Sequence, residues 1–363
     1  MTCSSAVCDG GSGLSGGVAC EQEVVLVLPT KWPTSLVWSM AVVLVALSAC
    51  TTSSEPPTEE PSTSAVAPSE SHLPEAAGDD RIAFTRQATD FTDPLLWTAN
   101  IDGSDPAPVG DQAAWFPDWS PDRRLLLFGF TDANGDDQIA TIRPDGSDLF
   151  LLTEGTGYNE APDYSPDGES IIYAHSDVRP QDPDFVGTGL WLMNSDGSEK
   201  HPLQLADGGG DDTEAEYSPD GAQVVFARYR HDADDTRALH IAAADGSDVR
   251  RLTPWQHIVE HPRWSPDGRT IIYNIENNDD APSNKGEGIW TVPASGGKPV
   301  LLLASTDELH GFKPDYSPDG SRVVFACAPN HRTTEDICVM NADGTDARQI
   351  FDEPGYDNHV VWR

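Results

Sequence analysis

Histidine and glutamate side chains recur in the later part of this 363-residue chain, each a few residues before one of six similar short segments. Imidazole and carboxylate groups bind divalent metal ions and transfer protons. If a fold arranges the six segments around one axis, these side chains converge at one end of that axis, where they could hold a divalent cation or a small ligand. The candidate site residues are Trp115, Glu160, Glu214, Glu260, His261, His310 and His359.

The spacing of these residues fixes no set of metal ligands, so a polar, water-filled channel is the alternative interpretation of the same pattern. His257, Glu260 and His261 also fit the zinc-peptidase pattern H-x-x-E-H. That chemistry requires a helix that places both imidazoles on one face. Because Pro262 and a strand-like sequence follow, we expect no zinc-peptidase site here.

An internal repeat defines the elements that must position these side chains. An aromatic-Ser-Pro-Asp signature recurs about every fifty residues, and a sixth copy begins where the chain ends, at Trp362. A short apolar run follows each signature, then a second run that leads into a Gly-containing turn, and then a third run. The pattern predicts four short strands per repeat. The five complete signatures lie at residues 119–122, 164–167, 217–220, 264–267 and 316–319.

The signature itself predicts a tight hairpin turn. In Ser-Pro-Asp-Gly, the Pro has its φ already near the value that the turn needs, the Asp side chain can accept backbone hydrogen bonds, and the Gly can adopt a left-handed conformation. Arg123 replaces this Gly in the first copy. We therefore expect the first turn to be looser than the others or slightly strained.

The way the repeats must pack predicts the fold class. One four-stranded unit cannot bury both of its faces, whereas units stacked radially around an axis can. Structured sequence begins at residues 81–84, which match the second strand of a repeat, and ends at residues 360–362, which match the first strand. We predict an all-β, six-bladed β-propeller of four-stranded antiparallel blades over residues 81–363. In this prediction the C-terminal strand joins the N-terminal blade and closes the ring.

The Tyr/Trp-Ser-Pro-Asp-Gly repeat resembles that of the TolB-like β-propeller family over about residues 81–363. The resemblance implies the six-bladed fold, and some TolB-like lyases place His ligands near the channel. TolB itself carries a folded domain before its propeller, whereas a tether is expected here, so we do not expect the Tol–Pal role. Similar blades occur in prolyl-oligopeptidase-like peptidases. Since no α/β-hydrolase domain follows residue 363, serine peptidase activity is not expected.

The charge of the chain restricts its partners. With 22 basic and 60 acidic side chains, the formal net charge is -38. This charge repels a phosphate backbone, so we expect no nucleic-acid partner. It also disfavours adsorption to anionic lipid, so any membrane attachment should come from a covalent lipid anchor alone.

The N-terminal region is typical of an exported lipoprotein. Residues 36–49 form an apolar segment that is too short to span a bilayer but fits a signal peptide. It ends in Leu47-Ser48-Ala49-Cys50, which resembles a bacterial lipobox, although an ordinary cleavage site with an incidental Cys is the alternative. We therefore assign 1–49 as a signal peptide, with the natural start near residues 24–31. Residues 50–80 are assigned as a lipidated Cys50 and a disordered tether.

Cys327 and Cys338 are the remaining cysteines of the mature chain. They lie in the predicted second and third strands of the last blade, on antiparallel neighbours. An exported protein meets oxidising conditions, so we expect these two residues to form a disulfide. Two free thiols, buried as small apolar side chains, are the alternative.

These features together predict a lipid-anchored protein on the extracytoplasmic side of the cell membrane. The propeller would act as a monomeric binding module. Its inter-blade loops and second-to-third strand loops vary in length, so an envelope protein or a small ligand is expected on that face. A metal-dependent lyase or hydrolase that uses the channel His and Glu residues is the alternative function, and we prefer the binding interpretation.

Overall fold

The structure, a computed structural model, describes residues 80–88, 94–231, 236–255, 258–276, 286–328, 335–351 and 355–362. Within these ranges all regular secondary structure is β, and the strands form six four-stranded antiparallel sheets. We number these sheets as blades 1 to 6 in chain order. The predicted six-bladed, all-β fold is confirmed.

Each blade is defined by its strands. Blade 1 contains β1 (Arg81–Gln87), β2 (Leu95–Asn100), β3 (Ala107–Ala113) and β24 (Tyr356–Val361). Blade 2 contains β4 (Trp115–Trp119), β5 (Leu126–Thr131), β6 (Asp137–Ile142) and β7 (Phe150–Leu151). Blade 3 contains β8 (Tyr158–Tyr164), β9 (Ser170–Ser176), β10 (Gly189–Asn194) and β11 (His201–Pro202). Blade 4 contains β12 (Asp211–Tyr217), β13 (Gln223–Arg230), β14 (Thr236–Ala243) and β15 (Arg250–Arg251). Blade 5 contains β16 (Ile258–Trp264), β17 (Thr270–Glu276), β18 (Gly288–Pro293) and β19 (Val300–Ala304). Blade 6 contains β20 (His310–Tyr316), β21 (Arg322–Ala328), β22 (Asp336–Asn341) and β23 (Arg348–Gln349).

The ring is closed by the C-terminal strand. Blade 1 has the strand order β24-β1-β2-β3, and β24 pairs antiparallel to β1 with Arg86 opposite Asp357. The innermost strands β24, β4, β8, β12, β16 and β20 contact one another in a complete cycle. These contacts place one strand of every blade along a common axis, as the repeat predicted.

The hydrophobic core lies between neighbouring blades. Each of six apolar clusters combines residues of two adjacent blades. At the junction of blades 6 and 1, for example, Phe84 and Trp362 pack with Val324 and Ile337. A blade buries its faces only when both neighbours are present, so the core also requires a closed ring.

The signature turns have the predicted chemistry. In the turn at 164–167, Gly168 N donates to Ser165 O at 2.8 Å, Ser165 Oγ donates to Asp167 Oδ1 at 2.6 Å, and Gly168 has φ +72°. The turn at Arg123 shows the second of the two expected outcomes, a slight strain, because Arg123 adopts a left-handed φ of +57°. The turn is not looser, since Arg123 N donates to Ser120 O at 2.7 Å.

The side chain of Arg123 compensates for this strain. Its guanidinium group stacks 4.7 Å above the Trp119 ring and donates from Nη2 to Arg81 O at 2.7 Å. The stacking contact lies within blade 2, whereas the hydrogen bond to Arg81 ties blade 2 to blade 1.

Candidate functional site

One residue in each innermost strand has a left-handed backbone conformation. Each lies three residues before the signature aromatic, at a point where the strand register shifts by a β-bulge. A left-handed conformation costs a non-Gly residue about 1–2 kcal/mol, and bulges of this kind are common near functional sites. We call these positions the bulge ring; they are Phe116, Ala161, Glu214, His261, Lys313 and His359, with φ from +46° to +53°.

Side chains of the bulge ring fill the channel. The Phe116 ring centroid is 4.4 Å from that of His359 and 6.2 Å from that of His261, and the two imidazole centroids are 5.9 Å apart. A cavity of about 10 Å³ remains beside these rings, which is room for about one water molecule. At this level the expected water-filled channel is therefore replaced by packed rings.

The sequence-predicted site residues fall into three layers because they lie at three different distances in sequence from the signature aromatic. Glu214, His261 and His359 belong to the bulge ring. Trp115, Glu160 and Glu260 each lie one residue earlier. His310 lies three residues before Lys313, is buried, and packs against Phe312 with ring centroids 5.6 Å apart. The structure thus brings only part of the predicted set together.

Glu214 and His261 form the closest predicted pair. His261 N donates to Glu214 Oε2 at 2.6 Å, and His261 Nε2 lies 3.5 Å from Glu214 Oε1. Burial raises the pKa of Glu214. Burial, and next the nearby Lys313, holds the pKa of His261 well below its usual value of 6.5. The imidazole is therefore neutral at physiological pH.

Glu160 is a buried carboxyl group with a perturbed titration. It accepts hydrogen bonds from Tyr158 Oη and, at 2.9 Å, from Thr213 Oγ1 of the next blade. Burial raises its pKa to about 7, although both hydrogen bonds act in the opposite direction. Glu160 therefore changes charge near neutral pH.

Glu260 is held in an ion pair rather than in a metal site. Its Oε1 pairs with Arg237 Nη1, and the Arg237 guanidinium lies 3.7 Å from the centroid of the Tyr229 ring. Glu260 and His261 are on a strand, as expected, and not on the helix that a zinc-peptidase motif requires. His257, the third residue of that motif, lies outside the described residues.

No group of three His, Cys, Asp or Glu side chains within the described ranges lies close enough together to hold a metal ion. All seven predicted site residues are in those ranges. The described part of the channel therefore does not form the His and Glu ligand set that the enzymatic alternative requires.

Sequence reasoning missed two bulge-ring residues with prominent roles, Phe116 and Lys313, and also missed Arg263. The signal was present, since counting back three residues from each signature aromatic finds all six bulge-ring positions. A choice by residue type, His or Glu, does not find this signal, because the six residues share a position in the repeat and not a chemical type.

A buried carboxylate two residues after the bulge ring links neighbouring blades. Four such carboxylates each accept a hydrogen bond from the backbone N–H of the signature aromatic in the next blade. The pairs are Asp118 to Tyr164 (3.2 Å), Asp163 to Tyr217 (3.0 Å), Glu216 to Trp264 (2.7 Å) and Asp315 to Trp362 (2.8 Å). These residues are structural.

The connection from β9 to β10 is anchored to blades 2 and 3. We call residues 177–188 the strap. Phe185 packs edge-to-face on Tyr158 with ring centroids 6.3 Å apart, and Arg179 makes two hydrogen bonds of 2.8 and 2.9 Å to buried Asp136. Val186, directly after Phe185, is 86% exposed. The strap therefore holds an apolar side chain in solvent.

Blade 6 contains the two predicted disulfide cysteines. Cys327 and Cys338 are joined, with a Cα–Cα distance of 5.8 Å. They are not directly opposite, since Cys338 faces Phe325 and Cys327 faces Asp336 in the β21–β22 register. The bridge runs diagonally between the two strands and is buried.

None of the described residues forms a helix with the length and apolar character needed to cross a membrane.

Comparisons with known proteins place these features in a family context. No family model matches the chain. The chain is 28% identical over 193 residues to YuxL of Bacillus subtilis, named an uncharacterized peptidase, which is 46% of this chain and 29% of YuxL. It is 30% identical over 118 residues to the Tol-Pal system protein TolB of Anaeromyxobacter dehalogenans, which is 32% of this chain and 25% of that protein. The chain thus spans less than a third of the length of both relatives.

The fold also matches a solved TolB structure. The crystal structure of TolB from Acinetobacter baumannii is similar with a TM-score of 0.63 and 23% identity, over 79% of this chain and 68% of that chain. At this identity the similarity concerns the fold. The six closed blades, the Ser-Pro-Asp-Gly turns and these similarities identify the fold of the chain as a TolB-like β-propeller.

Proposed function

We propose that this protein is an exported lipoprotein whose propeller binds another protein of the cell envelope. Lipid on Cys50 would hold it on the extracytoplasmic side of the membrane, with residues 50–80 as a tether. Cys50, the signal peptide at 1–49 and nearly all of the tether lie outside the described residues. This part of the proposal therefore rests on the lipobox-like sequence.

The closed channel mouth is the observation that carries the binding proposal. Packed rings of Phe116, His261 and His359 fill the channel at the bulge ring, so the described part of the channel leaves no deep pocket there that could enclose a substrate. The strap adds an exposed apolar side chain, Val186, that a protein partner could contact.

The similarity to TolB supports the proposal that the partner is a protein. The relative from Anaeromyxobacter is named as part of the Tol-Pal system. A metal-dependent lyase or hydrolase is less favoured, because the described channel residues do not form a three-ligand group.

Substitutions at exposed valines test the binding proposal. Val186→Asp places a charge on the strap. Val300→Asp is the matched control, since it makes the same substitution at another exposed valine, 57% exposed, on the outer strand of blade 5. Proteins cross-linked to the chain in intact cells should include a partner that Val300→Asp retains and Val186→Asp loses. A cross-linked set that is the same for both variants and the unchanged protein would contradict binding at this face.

The lipid anchor has a separate test. Replacing Cys50 with Ala removes the only thiol that the lipobox-like sequence could present for acylation. We expect the variant to be unprocessed or to be released from the membrane fraction, as measured by fractionation and intact mass. A variant with unchanged size and membrane retention would rule out lipidation at Cys50.

A further inference from the structure

The large apolar side chains that are exposed in the described ranges are not spread evenly over the surface. Five of these six side chains lie at the outer edges of two blades. Leu149, Phe150 and Leu151 lie at β7 of blade 2, and Val300 and Leu301 lie in β19 of blade 5, with exposed fractions of 40% to 57%. Single exposed apolar residues need no explanation, whereas contiguous ones are typical of interaction sites.

The other blades show how an outer edge is usually protected. Proline or charged residues on an exposed strand prevent it from pairing with another chain. At the two positions that correspond to Phe150 and Leu151 in the register with the third strand, four blades have such residues, whereas blades 2 and 5 have only apolar ones. The protected pairs are Ala107 and Pro108 in blade 1, His201 and Pro202 in blade 3, Arg250 and Arg251 in blade 4, and Arg348 and Gln349 in blade 6.

The charges beside the two apolar edges are of opposite sign. In blade 5, Ser295-Gly296-Gly297 replaces the Asp-Gly turn that precedes the outer strand in the other five blades. Residues 293–304 therefore contain no acidic side chain and one exposed lysine, Lys298, and Arg250 of blade 4 donates a hydrogen bond to the backbone of the same turn. The corresponding residues 143–154 of blade 2 contain one basic and three acidic side chains.

Blades 2 and 5 lie on opposite sides of the ring. The innermost strands contact one another in the cycle β24, β4, β8, β12, β16 and β20, so two blades separate blade 2 from blade 5 in either direction. One molecule therefore cannot bring its own two apolar edges together. Both outer strands run away from the turn that precedes them, so two copies side by side in the same orientation place the acidic turn of blade 2 next to the basic turn of blade 5.

We propose that the outer edge of blade 5 binds the outer edge of blade 2 of a second copy of this chain, with the apolar side chains of the two edges in contact. The net charge of -38 repels a second copy in general, so copies meet where their local charges are opposite. Because the two surfaces differ and lie on opposite sides, repetition of the contact gives an open row of copies. This row would take the place of the monomer that the sequence predicts.

Two complementary variants test the contact. In sedimentation velocity, the purified full-length chain at about 10 µM to about 1 mM should form dimers and larger species as the concentration rises. Phe150→Glu removes the blade 2 surface and Leu301→Glu removes the blade 5 surface, so each variant alone should be a monomer. An equimolar mixture of the two variants keeps one intact surface on each partner, and it should form a dimer and nothing larger.

Blade 3 offers matched controls for these substitutions. His201→Glu places the same residue at the position that corresponds to Phe150 and should leave the association unchanged. Lys298→Glu should raise the dissociation constant about 2–5-fold, the effect of one exposed charge pair. Lys200→Glu, at an exposed position before the outer strand of blade 3, should leave the constant unchanged.

Three results would overturn the proposal: a protein that is monomeric over the whole range, single variants that still form dimers, or a mixture that stays monomeric. Circular dichroism checks that the variants are folded, and Leu149→Glu with Val300→Glu repeats the experiment if either does not fold. The contact is separate from the proposed partner at the strap. Val300→Asp should therefore weaken the contact between copies and still retain a partner that is bound at Val186.

Discussion

At the scale of single residues, Glu160 is a buried group whose charge changes near neutral pH. Its carboxyl group lies between Tyr158 and Thr213, and burial raises its pKa from an ordinary 4.5 to about 7. The folded protein therefore binds this proton more tightly than the unfolded chain does. The stabilisation from the protonated form is present below about pH 4.5 and is lost as the pH rises through about 7.

Glu160→Gln should remove this pH dependence. The amide stays neutral, keeps an oxygen for Tyr158 Oη, and can donate to Thr213 Oγ1. At about pH 8 we expect the variant to be more stable than the unchanged protein by on the order of 1–3 kcal/mol, and at about pH 5 the two should be similar. Urea denaturation across this pH range measures the difference. Glu154→Gln, at an exposed position, is the control and should leave the profile unchanged; an unchanged profile for Glu160→Gln would show that Glu160 titrates normally.

At the scale of the blade, the repeat predicted the strands but not the residues that reach the axis. Ser-Pro-Asp-Gly specifies a turn through backbone conformation, so its position can be read from residue types alone. The bulge ring has no such restriction, since Phe116, Ala161 and Lys313 occupy equivalent backbone positions with unrelated side chains. Trp115, Glu160 and Glu260 were selected for residue type and place before each signature, and they lie one residue before the bulge ring. The bulge itself has no sequence signature of that kind, so the exact residue at the axis could not be read from residue types.

The buried carboxylates between blades give an element-scale prediction. Asp315 accepts from Trp362 N at 2.8 Å and from Tyr316 N at 2.9 Å, and both bonds are buried. Asp315→Ala leaves these two N–H groups without that acceptor, so we expect a loss of about 2–4 kcal/mol in the free energy of unfolding. Asp184→Ala, at an exposed strap position, should cost less than about 0.5 kcal/mol. Equal stability of the two variants in urea would mean that the carboxylate contributes nothing to the junction.

The disulfide of blade 6 gives a second prediction at this scale. Cys327 and Cys338 are separated by 11 residues in sequence, and closing a loop of this length contributes about 3 kcal/mol in the chain-entropy description. We expect the purified protein to show no alkylatable thiol at either position, as measured by mass spectrometry without reduction. Cys327→Ser with Cys338→Ser should lower stability by about 2–3 kcal/mol. Two alkylated cysteines in the unreduced protein would contradict the bridge.

At the scale of the whole molecule, stability depends on a non-covalent closure between the two ends of the propeller. Arg86 in β1 makes hydrogen bonds of 2.6 and 2.7 Å to Asp357 in β24, and both side chains are nearly buried. The same guanidinium group lies 4.9 Å from the Trp97 ring centroid and 5.4 Å from that of Phe351. One side chain thus connects β24 to β1 and blade 1 to blade 6. Because each blade is buried only by its neighbours, opening this junction exposes edges on both sides.

Arg86→Met tests how strongly the ring depends on this closure. Removing the guanidinium group takes the ion-pair partner of a buried carboxylate away, so we expect a loss of about 3–5 kcal/mol in the free energy of unfolding. Adding Asp357→Leu removes that charge and should recover part of the loss, because a well-packed apolar pair can replace a buried ion pair. Arg143→Met breaks the more exposed pair with Asp148 and should cost less than about 1 kcal/mol. Urea denaturation of the four proteins measures these differences. If Arg86→Met is no more destabilising than Arg143→Met, the pair does not hold the ring closed, and the closure depends on the β1–β24 hydrogen bonds and the apolar cluster alone.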